Sequence, residues 1–201
     1  MILEYQAEVN TWYIIALYYM SGGNLELVTT RLRLREFRPA DLDALAAYAN
    51  PPEMRRYEKG MPDRETAQSF LDRVVRKASE TPRTCYYLAI TVPPVDTAIG
   101  HISLSSQNSE ICEWEIGWAV RSEDWGKGYA AEAAHRILGY AFHCLNAHRV
   151  VAFCHAENAS SAKVMEKIGM KQEGHLRQTR WFNGGWADEY IYAILESNFE
   201  K

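Results

Sequence analysis

The chain has 201 residues, of which 47% are apolar and 24% charged, a balance that suits one folded domain with a real core and excludes a disordered or fibrous polymer. Its 22 Lys and Arg against 26 Asp and Glu leave a net charge of −4, which argues against a broad nucleic-acid surface but leaves room for one basic pocket. The four cysteines, Cys85, Cys112, Cys144 and Cys154, form no C-x-x-C pair, which argues against a zinc ribbon and fits free thiols in a reducing cytoplasm.

Trp12 to Met20 is an apolar run of nine residues, well short of the roughly 20 needed to cross a bilayer. No Lys or Arg precedes Arg31, so a secretory signal is not expected either. Residues 1–24 read as an N-terminal extension, either an interface segment or a non-native addition ahead of Met20-Ser21-Gly22-Gly23, and residues 25–201 as the domain. Thr30 to Arg38 alternates apolar and polar residues and predicts a strand. Pro39-Ala40-Asp41 opens a helix through about Ala49, Pro51-Pro52 breaks it, and Pro62-Asp63 starts a second helix to about Lys77. Cys85 to Val92, Ala98 to Ser105 and Ile111 to Val120 read as strands joined by short turns, hence as an antiparallel meander. Tyr129, Ala130, Ala133, Ala134, Ile137, Leu138, Ala141, Phe142 and Leu145 then fall on one helical stripe. His148 to Cys154 is the next strand, and a strand–helix–strand run predicts a parallel pair with a right-handed crossover. A short helix over Ser160 to Ile168, capped by Asn158 or Ser160, is followed by a hairpin of Met170 to Arg177 and Asp188 to Leu195 around Asn183-Gly184-Gly185. The fold class is α/β with a mixed sheet.

The turn Trp125-Gly126-Lys127-Gly128-Tyr129-Ala130 carries the chemistry. Two glycines at a strand-to-helix junction let backbone N–H groups approach an anion, and the helix N-terminus adds partial positive charge. A P-loop needs G-x-x-x-x-G-K-[ST], which is absent. Gly126 to Ala131 formally matches G-x-G-x-x-[GA], but the turn follows a meander, only 44 residues (201 − 157) remain after Glu157, and Glu157 itself lies 29 positions (157 − 128) past Gly128. A dinucleotide fold would need a longer remainder and an acid about 20 positions on.

Three stretches resemble the GNAT superfamily of acyl-CoA N-acyltransferases: Glu115 to Val120 with Trp125 to Ala133, Asn146 to Val150 with Glu157 to Met170, and Glu173 to Arg177 with Gly185 to Glu189. Within it the chain is similar to the RimJ/RimL-like branch, which acetylates N-terminal amines of ribosomal proteins. The resemblance implies a central mixed sheet made of the antiparallel meander, a splayed parallel pair and a closing hairpin, flanked by helices. It implies acetyl-CoA as cosubstrate, no metal, an amine acceptor such as a protein N-terminus, no nucleic-acid or membrane partner, a cytoplasmic location, and leaves a homodimer open. A small amine such as a polyamine, aminoglycoside or amino acid is the alternative acceptor, and a non-catalytic acyl-CoA-binding module the alternative function.

Carried onto this chain, the resemblance puts the pyrophosphate on Trp125, Gly126, Lys127, Gly128, Tyr129 and Ala130. It puts the pantetheine arm along Trp118, Ala119 and Val120 with help from Asn158 and Ser161. Glu115 is the candidate base, with Glu113 on the same face able to exchange roles. The N–H of Ala119 or Val120 polarises the thioester. The family's frequent Tyr proton donor is replaced here by Met165, and Ser161 takes that role as in the RimJ/RimL-like branch. Tyr57, Tyr87 and Trp186, with Tyr86, Trp181 and Phe182, are the expected acceptor walls, and Arg56 or Arg180 would meet a peptide carbonyl or acid. Glu132 and Asp188 are expected to make structural pairs. Glu123, where the superfamily usually has Gln or Arg, sets a carboxylate near the pyrophosphate.

Overall fold

The computed structural model describes residues 24–199; the expected N-terminal extension lies, apart from Asn24, outside the described residues. The sheet has eight strands in the order β1-β2-β3-β4-β5-β6-β8-β7. They are β1 (Glu26–Val28), β2 (Arg33–Glu36), β3 (Cys85–Thr91), β4 (Gly100–Asn108), β5 (Glu113–Val120), β6 (Arg149–His155), β7 (Lys171–Phe182) and β8 (Gly185–Leu195). The helices are α1 (Leu42–Ala49), α2 (Arg64–Ala78), α3 (Tyr129–Cys144), α4 (Ala159–Lys167) and the short α5 (Glu196–Phe199). All ladders are antiparallel except β5–β6, which is parallel, as the strand–helix–strand reading requires.

The elements form where the sequence signals place them. Asp63 caps α2 by accepting from the Thr66 N–H, and Asn158 caps α4 by accepting from the Ser161 N–H. The α3 stripe buries Ala133, Ala134, Ile137, Leu138, Ala141 and Phe142 against one face of the sheet. That face supplies Leu88, Ile102, Leu104 and Ile116. The other face carries a second core in which Phe37, Leu45, Tyr48, Leu71 and Val74 pack α1 and α2 over β3.

Four boundaries differ from the sequence expectation. The expected strand from Thr30 to Arg38 is the end of a hairpin: Thr29 N–H donates to the Leu32 carbonyl and Thr29 Oγ1 accepts from the Leu32 N–H, so β1 and β2 are separate strands. The helix expected from Pro39 begins as a 3-10 turn, Pro39–Asp41, because Asp41 spends its carboxylate on the Arg38 N–H and the Arg35 guanidinium. The strand expected from Ile111 starts at Glu113, since Cys112 sits in the left-handed region (φ 49°) within the β4–β5 turn. The hairpin is longer than expected, running to a two-residue Asn183-Gly184 turn.

Arg35 is a buried polar centre of the α1 side. Its guanidinium bonds both oxygens of Asp41 at 2.8 Å and Asp96 Oδ1 at 2.8 Å, tying β2 and the 3-10 turn to the β3–β4 connection. Nearby, His101 on β4 lies among the rings of Tyr48, Phe70 and Tyr87, and its Nδ1 is 3.0 Å from Tyr48 Oη. Burial pushes the imidazole down from 6.5 to about 4. Between those values the unfolded chain binds the proton and the folded chain does not, so stability is present above 6.5 and is lost as pH falls toward 4. His101 as a residue is only partly exposed, so we expect a loss of about 1–3 kcal/mol over that window. His101→Phe should flatten the acid limb of stability measured by urea unfolding at several pH values; an unchanged slope would rule His101 out as its source.

Candidate active site

The site begins where two strands part. β5 and β6 pair only at Glu113↔Arg149, Trp114↔Val150 and Glu115↔Val151. Beyond that point β5 stays on β4 as far as Gly100↔Val120, and β6 stays on β8 as far as His155↔Glu189. Hydrogen-bonded and free positions alternate along an antiparallel ladder, and Arg121 N–H bonds Ile99 on the β4 side. Ala119 N–H therefore faces β4, while Trp118 and Val120 N–H face the gap. Of the two expected backbone donors, Ala119 and Val120, Val120 has the required direction. Its carbonyl is already taken, accepting from the Trp125 indole at 2.6 Å.

The Trp125–Ala130 turn caps the open end of this gap. Gly126 (φ 76°) and Gly128 (φ 81°) both adopt the left-handed region, and a side chain on Gly126 would meet nothing within 4 Å, so the cradle is open. Gly128 is the N-cap of α3, which brings the helix N-terminus to the same place. Lys127 contributes less charge than its position suggests: Nζ sits 2.6 Å from the buried Asp124, which also holds Arg121 at 2.5 Å. Glu123 is 76% exposed and lies 3.7 Å from Arg121, so its carboxylate is turned to water with a cation beside it. Glu132, as expected, is a structural partner; it binds Thr29 and Arg31.

The carboxylates on β5 have different fates. Glu113 is held by Arg149 at 2.8 Å, and Arg149 forks onto Glu173 at 2.9 and 2.6 Å. The expected exchange of roles between Glu113 and Glu115 is therefore not what the side chains are arranged for. Glu115, two residues on, is half-buried with no hydrogen-bond or ion-pair partner among the described residues. Desolvation first, and then the charge of Glu189, push its carboxyl above the ordinary range. Glu189 in turn accepts from Thr179 Oγ1 at 2.9 Å and lies 3.3 Å from Arg180.

Across the gap, Asn158 Oδ1 is engaged with the Ser161 N–H at 3.1 Å, leaving its amide N–H₂ group for a ligand. The Ser161 hydroxyl has no partner among the described residues and is partly exposed. Met165 is buried in the main core and offers no proton.

An acetyltransferase (GNAT) domain model matches residues 31–171. This chain belongs to the GNAT acetyltransferase family. It is 35% identical over 176 residues to the uncharacterized N-acetyltransferase YnaD of Bacillus subtilis (strain 168), covering 87% of this chain and 99% of the relative. A solved acetyltransferase (GNAT family) from Bacillus anthracis superposes with a TM-score of 0.76 at 31% identity, covering 86% of this chain and 99% of the other. A Mycobacterium smegmatis RimJ, solved in complex with CoA-disulfide, shares the fold with a TM-score of 0.75 at 21% identity, covering 85% and 84%. The chain is thus an N-acetyltransferase of this family, with the family's mixed sheet.

In this GNAT acetyltransferase an open cavity of about 540 Å³ lies on the Glu189 side of the hairpin, lined by Arg56, Tyr57, His155, Glu157, Phe182 and Trp186. Tyr57 stands on the His155 ring at 5.2 Å, and the His155 Nδ1 accepts from the Glu157 N–H at 3.1 Å. Two expected acceptor walls, Tyr57 and Trp186, therefore meet here. The third, Tyr87, packs edge-on against Phe70 of α2 at 5.3 Å and lies on the Glu115 face of the sheet, outside this cavity. Tyr86 is on the opposite face, in the main core against Trp114 and Tyr140. Trp181 stacks edge-to-face on Trp186 at 5.2 Å at the exposed hairpin tip. Arg180 is not free for a peptide: Glu58 holds it through two bonds, at 2.9 and 2.8 Å. Asp188 likewise is a structural partner, accepting from the Gln178 N–H at 2.9 Å beside His175 at 2.7 Å. Among the described residues no group of three or more His, Cys, Asp or Glu is arranged to hold a metal, and no helix is long and apolar enough to cross a membrane.

The electrostatics can be measured without any substrate. In a carbon-detected NMR titration, the Glu115 carboxyl should titrate above the ordinary 4.5, and Glu189→Gln should lower it. A Glu115 midpoint that ignores Glu189→Gln would show that the two charges do not interact.

Proposed function

We propose that this chain moves an acetyl group from acetyl-CoA to a primary amine by direct attack in a ternary complex, and that the acceptor is the N-terminal α-amino group of a protein, a ribosomal protein in the first instance. The observation that carries the reading is Glu115: an unpartnered, half-buried carboxylate where β5 and β6 part, on the same strand as the backbone that faces the gap. CoA seen with the structurally similar RimJ supports the donor.

The chain's residues fit CoA. The N–H groups of the Gly126–Ala130 turn and the α3 N-terminus would hold the pyrophosphate, and Trp118, Val120 and Asn158 would hold the pantetheine arm. When bound, the thioester supplies an activated acetyl group. Glu115 takes a proton from the incoming ammonium, directly or through one water, and frees its lone pair for the carbonyl carbon. An α-amine, with a pKa of about 7.7–8.0, asks little of such a base. Val120 N–H donates to the carbonyl oxygen as it becomes negative. The C–S bond breaks as the Ser161 hydroxyl donates its proton to the departing sulfur, and the second proton that the attacking nitrogen sheds in becoming an amide passes through water back to Ser161. The open cavity beside Tyr57 and Trp186 suits the end of an extended chain.

A small cationic amine is the second reading. Glu157 and Asp188 line the cavity beside Arg56, and a polyamine would meet those two carboxylates there.

The test is a thiol-release assay with acetyl-CoA against a panel of ribosomal-protein N-terminal peptides, polyamines, aminoglycosides and amino acids. Turnover on peptides above the small amines supports the reading; turnover on polyamines alone replaces it with the second, and CoA binding with no turnover on any amine points to a binding module. Glu115→Gln should lower kcat at neutral pH by about a hundredfold and remove the acid limb of kcat/KM, which lies above the ordinary carboxylate range because the base must be ionised to act. An unaltered pH profile would eliminate Glu115 as the base. Ser161→Ala should lower kcat by about tenfold while leaving the CoA dissociation constant alone.

A further inference from the structure

The Gly126–Gly128 turn has little to hold it from within. Gly128 caps α3 without a side chain, and nothing packs over the position a Gly126 side chain would take. Glycine is also the residue that loses most freedom when fixed in one conformation. Beyond the Lys127–Asp124 pair and the Trp125 indole on Val120, the restraint comes from the β1–β2 turn, 96 residues earlier. Arg31 Nη1 donates to the Lys127 carbonyl at 2.9 Å, Arg31 Nε donates to Glu132 Oε2 at 2.7 Å, and the guanidinium lies 4.9 Å over the Tyr129 ring. The other Glu132 oxygen accepts from the Arg31 N–H at 3.0 Å and from Thr29 Oγ1 at 2.5 Å. The Glu132 N–H closes the loop on the Gly128 carbonyl at 3.0 Å.

We propose that Arg31 and Glu132 are positioning residues for the cofactor, fixing the glycine turn in its anion-accepting shape before CoA arrives. The proposal rests on acetyl-CoA being the donor. Charge-assisted forked bonds are strong and directional, and a turn held in advance does not lose its freedom at the moment of binding. A direct phosphate contact by Arg31 is a different idea with a different consequence. Arg31 Nη2 is already 2.5 Å from Glu132 Oε2, and the Glu132 carboxylate itself would repel an anion. If Arg31 served only as a phosphate ligand, neutralising Glu132 would tighten CoA binding. If the pair positions the turn, neutralising Glu132 weakens it.

The experiment measures CoA binding by calorimetry and steady-state kinetics on the wild type, Arg31→Ala, Glu132→Gln, the double variant and Thr29→Val. Each single variant at Arg31 or Glu132 should raise the CoA dissociation constant and the KM for acetyl-CoA by about tenfold, with kcat and the acceptor KM within about twofold. The double variant should be no worse than the worse single one, because both act through one network. Arg31→Lys should recover part of the affinity, since an ammonium replaces the charge but not the fork. Unchanged CoA affinity in Arg31→Ala, or tighter binding in Glu132→Gln, would overturn the proposal. Should Arg31→Ala not fold, Thr29→Val removes the bond to Glu132 together with those that Thr29 Oγ1 accepts from the Arg31 and Leu32 N–H groups, loosening the same pair without touching either charge, and unchanged CoA affinity there would overturn it equally. A wild type that does not bind CoA would sink the acetyl-CoA reading itself, an outcome distinct from a wild type that binds and variants that bind as well.

Discussion

The parting of β5 from β6 after Glu115 is the constraint on which the rest of the structure depends. A parallel pair needs a crossover, and here the crossover is α3, entered through the glycine turn. Because β6 is drawn away onto β8, the backbone groups of Trp118 and Val120 that point away from β4 are left without a strand partner. Unpaired backbone groups are costly inside a protein unless something meets them. The indole of Trp125 meets one, and a bound acyl-CoA arm is suited to meet others. One geometric event thus creates the slot, aims the turn at its mouth and sets Glu115 at its base.

Electrostatic roles in the site are assigned by partners, not by residue type. Glu113 and Glu115 face the same side of one strand. Arg149 neutralises the first and leaves the second exposed to the charge of Glu189. Lys127 stands in the cradle yet is matched by Asp124, whereas Arg31 is remote in sequence and reaches the turn's backbone. In the proposed CoA site the turn would therefore draw an anion chiefly through backbone N–H groups and the helix end.

Much of this was legible in the sequence because it is local. The α3 stripe, the capping Asn158, the meander and the two glycines are patterns of neighbouring residues, and short-range sterics and hydrogen bonding decide them. The misjudged boundaries were also local, but there a side chain competed with the backbone: Thr29 at the hairpin turn and Asp41 at the first turn of a helix. Which aromatic side chains come together was legible only in part. Tyr57 and Trp186 share a cavity while Tyr86 and Tyr87 point to opposite faces of one strand, an alternation that aromatic content alone does not resolve.

By itself the sequence determined the order of elements, the glycine turn at a helix start and the side-chain types on which the proposed acyl transfer draws. The tertiary structure alone decided which carboxylate is left without a partner, which backbone groups face the gap and which distant arginine steadies the turn. The physical reason is range. Backbone preference and periodicity act over a few residues, whereas ion pairing and desolvation depend on what folding brings within a few ångströms, as Arg31 and Glu132 show across 101 positions.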